Sequence, residues 1–185
     1  MRDIEVEVSY WVDEEFWKSF FERCRKEGKF IRHEKQHDEY YRPSHKDWAS
    51  GDFTPEWLSI RERGNGVMIN YKNWKSDGVR CDEYETSVGD AEPMRKIFAA
   101  IDMQKLITVH KERDVFMLGE FEVAMDVCEG LGCFIEVEVK GDYASSDVAV
   151  IALRKFAAEI GLDKFEEDHK GYSRLLMERR GKKSL

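Results

Sequence analysis

Charged residues recur in pairs, two positions apart, within segments that alternate between polar and apolar side chains. Residues 4–10 show the pattern, because Glu5 and Glu7 alternate with Val6 and Val8. Successive side chains of a β-strand point to opposite faces, so both carboxylates of this pair lie on one face. The same spacing gives further pairs, accompanied by two single charges: Arg61 and Arg63, Glu83 and Glu85, Lys111 and Arg113, Glu136 and Glu138, Lys72, and Asp126.

These side-chain types together suit the binding of a polyanion with its metal ion. Carboxylates supply the hard oxygen ligands that Mg²⁺ or Mn²⁺ takes, and arginine and lysine donate hydrogen bonds to phosphate oxygens. Phosphoryl and nucleotidyl transfer need both kinds of group at one place. A single charged pair is also what the solvated face of an antiparallel sheet shows. The combination over several segments is therefore what points to a shared site.

A charged face repeated on many strands indicates a closed barrel. If the strands close, alternation places one face of each strand inside and the other outside. The apolar faces, Val137 and Val139 among them, then pack against helices, and the charged faces line a wet interior. Enclosed charges are unfavourable unless they are paired or used, so mutual ion pairing is the simpler explanation of the same pattern.

The strands that must carry these charges are predicted from alternation and turn residues. A Gly-Asn-Gly turn at 64–66 separates two apolar-rich runs and predicts a β-hairpin over 57–72. Residues 43–55 predict a polar loop. The other predicted strands are a first strand in 4–10, two short strands or a hairpin in 29–42, a strand in 81–86, a strand pair in 107–114 and 115–127, and a strand in 134–140.

Three helices and a short helical turn are predicted from caps and periodicity. Asp13 is a typical N-cap and Gly28 a typical stop for the first helix. The second covers 92–101, with Pro93 in its first turn. The third begins after Ser145 or Ser146, ends at Ile160 and has a predicted buried stripe. That stripe comprises Val148, Ile151, Ala152 and Phe156, and a helical turn is predicted near 172–177.

The composition predicts one folded domain over residues 1–185. Hydrophobic residues make up 42% and charged residues 37%, which excludes a disordered or collagenous chain. The net charge of −8 argues against a nucleic-acid partner. No run of about 18 apolar residues predicts a membrane span, and the N-terminus has no apolar signal region. The four cysteines form no C-x-x-C pair, so we expect a cytoplasmic protein with reduced thiols.

Two local features compete with the charged pairs for a functional interpretation. His33 to His37 match the H-E-x-x-H pattern of zinc peptidases, in which both histidines lie on one helix. This segment lacks helical periodicity, so we expect exposed polar residues at a strand end. Trp48, in the polar loop, is the tryptophan we would test for stacking on an adenine ring. The basic residues Arg179, Arg180, Lys182 and Lys183 predict a solvated tail.

An ordered series of short motifs resembles the CYTH superfamily, which contains class IV adenylyl cyclases, thiamine triphosphatase and inorganic triphosphatases. The most specific match is residues 126–138, DVCEGLGCFIEVE, which is similar to D-x-V-x-G-L-G-x-F-x-E-x-E in the cyclase-like branch. The remaining matches follow the family order along nearly the whole chain: Glu5-x-Glu7, Gln36-x-Asp38-x-Tyr40-Tyr41, Leu58-x-Ile60-Arg61, Tyr71-Lys72, Glu83-x-Glu85 and Lys111-x-Arg113.

The resemblance implies an α+β fold: an eight-stranded antiparallel β-barrel, the triphosphate tunnel, with flanking helices. It implies that acidic residues hold Mg²⁺ or Mn²⁺ and that basic residues hold phosphate. The implied metal ligands are Glu5, Glu7, Glu136 and Glu138, with Glu83, Glu85 and Asp126 completing the shell or orienting the bases. The implied phosphate-binding residues are Arg61, Arg63, Lys72, Lys111 and Arg113, of which Lys72, Lys111 and Arg113 are the implied catalytic residues.

Two positions depart from the family pattern. Ser9 stands where the family has the lysine of E-x-E-x-K, and Ser59 stands where it has the first arginine of L-R-I-R. Both positions lie on the charged faces, so the predicted tunnel has two fewer cations to hold a triphosphate and stabilise its transition state. Arg63 shares a face with Ser59 and is expected to compensate in part.

The leading hypothesis is therefore an enzyme most like a class IV adenylyl cyclase, converting ATP to cyclic AMP and pyrophosphate. The first alternative is an inorganic or thiamine triphosphatase that releases orthophosphate. The second is a non-catalytic module that binds a nucleotide, a polyphosphate or another phosphorylated small molecule, motivated by Ser9 and Ser59. A homodimer is left open.

Overall fold

The computed structural model describes residues 4–48, 54–64 and 66–183, without the side chains of 182 and 183. Within these residues the strands are β1 (Ile4–Val12), β2 (Lys29–Pro43), β3 (Glu56–Arg63), β4 (Gly66–Trp74), β5 (Arg80–Val88), β6 (Met103–Leu118), β7 (Phe121–Cys128), β8 (Gly132–Val139) and β9 (Glu166–Glu167). The helices are α1 (Glu14–Glu27), α2 (Ala91–Ala100), α3 (Ser146–Glu159) and α4 (Gly171–Lys183).

The first eight strands form a closed antiparallel barrel. Their order is β5-β4-β3-β2-β6-β7-β8-β1, and β1 also pairs with β5, which closes the ring. This closing ladder joins three residue pairs of the described chain, from Ile4 opposite Asp82 to Val6 opposite Arg80. The short β9 pairs with β1 beyond the closure. The predicted α+β barrel with flanking helices is thus confirmed.

The main hydrophobic core lies between the outer face of the barrel and helices α1 and α3. Val6 and Val8 of β1 pack there with Phe20 of α1 and Leu153 of α3. Helix α1 begins where the Asp13 carboxylate accepts a hydrogen bond from the Phe16 amide at 2.7 Å. The charged faces of the strands are left to line the interior, because alternation commits each strand's apolar residues to the outer core.

Gly28, the predicted stop of α1, is required by close packing. Its amide donates to the Cys24 carbonyl oxygen at 2.8 Å. A Cβ atom at this position would lie 2.8 Å from that same oxygen and 2.9 Å from a methyl carbon of Leu118. A larger residue would therefore push α1 away from the end of β6.

Two strand boundaries differ from the prediction. The segment predicted as two short strands or a hairpin in 29–42 is one strand, β2, because it pairs with β6 along its whole length and absorbs two register shifts. The break predicted between 114 and 115 is also wrong, since β6 continues to Leu118. The turn lies at Gly119, whose φ of +61° is readily adopted by glycine. The predicted hairpin over 57–72 is confirmed by β3 and β4, with Asn65 outside the described residues.

The helix predictions hold for position but not for every face. Ser145 caps α3 as predicted, yet Ile151 is 69% exposed and Val148 is also exposed. Ala149, Leu153 and Ala157 are the buried stripe instead, because small residues let the helix lie close to the barrel. The predicted turn near 172–177 is the 13-residue helix α4.

Helix α4 also includes residues expected to form a solvated tail. It packs Leu175 and Leu176 against a small core around Leu131 and Phe134. Farther along, Arg179 hydrogen-bonds to the Gly130 carbonyl oxygen. No helix among the described residues has both the length and the apolar character that a membrane span requires.

Candidate active site

A cavity of about 340 Å³ lies inside the barrel and is lined by most of the predicted site residues. The predicted residues on its lining are Glu5, Glu7, Arg61, Arg63, Lys72, Glu83, Glu85, Lys111, Arg113, Glu136 and Glu138. Asp126 has no exposed surface and lies behind the lining. Six strands, β1, β3, β4, β5, β6 and β8, thus bring acidic and basic side chains of distant sequence positions into one enclosed space.

One side of the cavity is built on Arg113. Its guanidinium donates to Asp126 Oδ1 and Oδ2 at 2.7 and 2.6 Å, and to Glu136 Oε1 and Oε2 at 3.0 Å each. Lys111 Nζ donates to Asp126 Oδ2 at 3.0 Å. We call Lys111, Arg113, Asp126 and Glu136 the Arg113 cluster. Its two cations and two carboxylates balance each other in number.

The charge balance of the Arg113 cluster lowers the pKa of both of its carboxylates. Burial alone would raise the pKa of Glu136, but Arg113 and Lys111 outweigh burial and lower that pKa to about 2. Asp126 follows the same rule, because the attraction of Arg113 and Lys111 overcomes its burial and depresses its pKa strongly. Both carboxylates are therefore ionised at neutral pH and hold the two cations in place.

The other side of the cavity is built on Lys72. Its ammonium Nζ lies 2.8 Å from Glu5 Oε2, 3.0 Å from Glu7 Oε1 and 3.8 Å from Glu83 Oε1. Glu138 faces Glu7 across the β1–β8 ladder and bonds Lys140 Nζ at 2.5 Å. We call Glu5, Glu7, Lys72, Glu83 and Glu138 the Lys72 cluster. Carboxylates outnumber cations here even when Lys140 is counted.

Burial, together with this excess, raises the pKa of several carboxylates of the Lys72 cluster. Burial raises the pKa of Glu5 to about 9 and that of Glu138 to about 7, with neighbouring carboxylates adding to both shifts. Burial likewise raises the pKa of Glu7. For Glu83 the hydrogen bond from Glu5 and the charge of Lys72 outweigh burial and lower the pKa to about 2. The two partners of this hydrogen bond therefore have pKa values shifted in opposite directions.

Arg61 and Arg63 extend from β3 between the two clusters. Arg61 Nη1 lies 3.3 Å from Glu85 Oε2 and 3.5 Å from Glu83 Oε1. Arg63 Nη2 donates to Asp38 Oδ2 at 3.4 Å. The Arg63 Nε and Asp38 Oδ1 atoms are buried without a hydrogen-bond partner, so each has unused hydrogen-bonding capacity.

The two serines that depart from the family pattern differ in their surroundings. Ser59 is buried, and its Oγ accepts a hydrogen bond from Arg61 Nε at 3.1 Å. Ser9 lines the cavity, and its buried Oγ has no partner. The position of the missing family lysine therefore has a polar group that is free to contact a ligand.

Several lining residues were not assigned by the sequence analysis. Asp38 could have been found, because it lies on the same face of β2 as Gln36 and directly opposite Arg61. Arg32 and Glu122 form an ion pair at 3.2 Å between strands that are far apart in sequence. Other lining residues belong to the segment 168–173, which follows β9 and carries no strand pattern.

The H-E-x-x-H segment and Trp48, which the sequence offered as other functional features, do not line the cavity. His33 and His37 lie on strand β2, so the zinc-peptidase interpretation is wrong. Trp48 packs against Tyr71 and does not line the cavity, whereas Trp57 and Trp74 do. Cysteines 24, 81, 128 and 133 are free thiols.

Among the described residues, no three acidic, histidine or cysteine side chains surround a point ready for a metal ion. The carboxylates of Glu5, Glu7 and Glu83 instead converge on the Lys72 ammonium. They therefore converge on a position that already holds a positive charge. Their oxygen chemistry fits a hard divalent cation, and burial together with neighbouring carboxylates raises the pKa of both Glu5 and Glu7.

A charged tunnel through an eight-stranded antiparallel barrel defines the class of this fold, and comparison with known proteins gives the family. The CYTH domain family model matches residues 3–172. A Methanocaldococcus jannaschii protein, provisionally named an adenylate cyclase, is 31% identical over 138 residues, which cover 73% of this chain and 76% of that protein. The chain belongs to the CYTH family.

Solved structures agree with this assignment. A Pyrococcus horikoshii protein matches with a TM-score of 0.81 and 30% identity over 95% of this chain and 99% of that one. A Hippeastrum protein, provisionally named an adenylyl cyclase and described as having a dominant triphosphatase activity, matches with a TM-score of 0.63. Its identity is 17%, over 96% of this chain and 95% of that chain, so this likeness concerns the fold.

Proposed function

We propose that this protein is a metal-dependent enzyme that acts on a triphosphate inside the barrel, with ATP cyclisation as the leading reaction. One observation carries the proposal: arginine and lysine side chains and an excess of carboxylates line the same enclosed cavity. Basic side chains alone would be compatible with any anionic ligand. The presence of carboxylates is explained if the anion binds together with a divalent metal ion, as nucleotides do.

The basic side chains have the chemistry to hold a phosphate chain. Arg113 and Lys111 are oriented by their hydrogen bonds to Asp126, and the buried Nε of Arg63 has no hydrogen-bond partner. Arg61 lies beside Arg63 on strand β3 and also lines the cavity. Arginine and lysine at these positions bind phosphate oxygens and offset the charge that develops on a leaving pyrophosphate.

The acidic side chains have the chemistry to hold Mg²⁺ or Mn²⁺. Glu5, Glu7 and Glu138 are the proposed ligands, because burial and mutual repulsion raise the pKa of each one. A bound divalent cation would supply the charge that balances both these carboxylates and the phosphate oxygens. Glu83, Glu85 and Glu136 stay as additional proposed ligands or orienting groups, and Asp126 acts behind the lining.

Two reactions fit the same cavity. In the cyclase reaction the ATP 3′-hydroxyl attacks the α-phosphorus and pyrophosphate leaves. In the hydrolase reaction water attacks the terminal phosphorus and orthophosphate leaves. The relative named as a cyclase supports the first. The dominant triphosphatase activity described for the Hippeastrum protein supports the second, since the two chains share their fold.

The products decide between these reactions. The purified protein should be incubated with ATP, inorganic triphosphate or thiamine triphosphate, each with Mg²⁺ and with Mn²⁺, and the products followed by ³¹P NMR. We expect cyclic AMP with pyrophosphate, and orthophosphate identifies the hydrolase instead. Arg113→Met should abolish turnover. Arg154→Met is a matched control, because Arg154 also binds a carboxylate, that of Glu167, through two nitrogens, but at the surface.

The assay also tests whether this chain is an enzyme at all. No product from any triphosphate, with retained binding of inorganic triphosphate by calorimetry, would identify the non-catalytic module. The cations missing at Ser9 and Ser59 would then explain the lost turnover. Equal loss of activity in Arg113→Met and Arg154→Met would contradict the assignment of Arg113 to the site.

A further inference from the structure

The cavity receives the side chain of a tyrosine that lies outside the barrel strands. Tyr172, the second residue of α4, lies on the cavity lining and is 8% exposed. Its hydroxyl donates a hydrogen bond to Asp126 Oδ2 at 2.7 Å. Its ring faces Lys111, with Nζ 4.4 Å from the ring centroid, and meets Phe134 edge to face at 4.8 Å. Tyr172 thus contacts the Arg113 cluster in two chemically different ways.

Asp126 is the group through which these contacts act. Its Oδ2 accepts from Arg113, Lys111 and Tyr172 at the same time, at 2.6, 3.0 and 2.7 Å. The position of this oxygen sets the positions of both cations, because each one is bonded to it. Tyr172 fixes the oxygen from the side of α4, while the ring limits the movement of the Lys111 ammonium.

The helix that presents Tyr172 is anchored independently of the cavity. Leu175 and Leu176 pack with Val109 and Leu131, and Arg179 stacks on the Trp11 ring at 5.2 Å. The family model ends at residue 172, so nearly all of this anchoring helix lies beyond the family match. A helix that lies mostly beyond the family match is therefore joined, through Tyr172, to the side chains proposed to bind phosphate.

We infer that Tyr172 is a positioning residue that holds Lys111 and Arg113 in their phosphate-binding arrangement through its hydrogen bond to Asp126. The inference rests on the proposed function, since it assigns a role toward the triphosphate. It makes α4 part of the binding machinery. A purely structural tyrosine would stabilise the fold equally well but would leave the affinity of folded molecules for phosphate unchanged.

Tyr172→Phe tests the inference because it removes the hydroxyl and keeps the ring. We expect the KM for the triphosphate to rise and kcat/KM to fall about tenfold, the usual effect of removing a group that orients a site residue. Binding of inorganic triphosphate in Mg²⁺ buffer, measured by calorimetry, should weaken by a similar factor. Tyr143→Phe is the matched control, because the Tyr143 hydroxyl bonds the Glu120 carboxylate at 3.1 Å on the exposed surface.

The outcomes separate this inference from the proposed function. An active wild-type protein whose Tyr172→Phe variant keeps its KM and its affinity overturns the inference and leaves the function standing. A protein that binds inorganic triphosphate without turnover, and binds it more weakly in the variant, supports the inference and overturns the enzyme. A variant with a lower melting temperature, lower kcat and unchanged KM shows a structural role and overturns the inference. A wild-type protein that binds no triphosphate overturns both.

Discussion

The Arg113 cluster and the Lys72 cluster line the same cavity but balance their charges differently. In the first, two cations face two carboxylates, and the pKa of Glu136 falls to about 2. In the second, carboxylates are in excess, and the pKa of Glu5 rises to about 9 and that of Glu138 to about 7. Both clusters are buried, so burial alone does not set the direction of these shifts.

The difference agrees with what the proposed function requires of each side of the cavity. The Arg113 cluster is complete in itself, and its carboxylates keep two cations ordered before any anion arrives. The Lys72 cluster is incomplete, because its carboxylates must share protons or find another positive charge. Preorganised donors on one side and unsatisfied acceptors on the other suit a ligand that is itself an anion paired with a cation.

The largest effect is expected from breaking the complete cluster. Asp126→Asn removes the charge that balances Lys111 and Arg113 while all three positions stay buried. Removing one partner of a buried pair leaves an uncompensated charge, so the free energy of unfolding should fall by about 3 kcal/mol. Urea denaturation at pH 7 measures it.

Glu112→Gln is the control for this substitution. Glu112 lies on the exposed face of β6 and pairs with Lys35 at 3.0 Å. Its loss should leave the unfolding free energy unchanged, since an exposed pair adds little. Equal stability of Asp126→Asn and Glu112→Gln would show that the Arg113 cluster is not held together by charge.

An intermediate effect on stability is expected from binding of a metal ion to the Lys72 cluster. Addition of Mn²⁺ at 100 times its dissociation constant should raise the unfolding free energy by about 2.7 kcal/mol. The effect should be larger at pH 8 than at pH 5, because the raised pKa values of Glu5 and Glu138 mean that protons compete with the metal at the lower pH. Thermal unfolding with and without Mn²⁺ at both pH values checks this.

Glu7→Gln should reduce the Mn²⁺ effect, and Glu62→Gln should not. Glu62 is a matched glutamate whose partner is Arg95 of α2, away from the cavity lining. Sodium chloride at equal ionic strength controls for screening. The same stabilisation by Mn²⁺ in both variants would rule out the Lys72 cluster as the metal site.

The smallest effect is expected from Glu138→Gln, and its sign is the informative part. The folded pKa of Glu138, about 7, exceeds its ordinary value of 4.5, so wild-type stability falls as pH rises between the two. Above pH 7 that loss is complete. The variant has no ionisable group here, so its unfolding free energy at pH 8, without metal, should exceed that of the wild type, with no gain at pH 4.

Glu136→Gln, two residues earlier on the same strand, should behave oppositely. The folded pKa of Glu136, about 2, lies below its ordinary value, so its ionised form stabilises the fold above pH 4.5. Its replacement should lower the unfolding free energy at pH 8. Denaturation curves at pH 4 and pH 8 that shift in the same direction for both variants would contradict the contrast between the clusters.

The charged interior could be predicted from the sequence because strand alternation is a local property. Glu136 and Glu138 must share a face wherever β8 lies, and burial of Val137 opposite them decides that this face is the inner one. The same argument placed Arg61 and Lys111 on the lining. Closure of the barrel made these separate faces into one site.

The features of the site that were not predicted depend on which distant segments pair or pack together. The alternation of residues along one strand does not determine this. The balanced charges of Arg113 and Asp126 follow from their opposition across the β6–β7 ladder, a register that no local pattern defines. Tyr172 reaches the cavity from a helix, where strand parity does not apply. The length of β2 likewise follows from its partner β6 and not from its own residues.

The short ladder that closes the barrel has a consequence for the interior. In the described part of the chain, three residue pairs join β1 to β5, whereas six join β1 to its other neighbour β8. Glu5 is the middle residue of that ladder, and its carboxylate reaches Lys72 on β4 across β5. The contact between Glu5 and Lys72 therefore stabilises this short ladder from the interior of the barrel. A ligand bound beside Glu5 would also change the stability of the barrel closure.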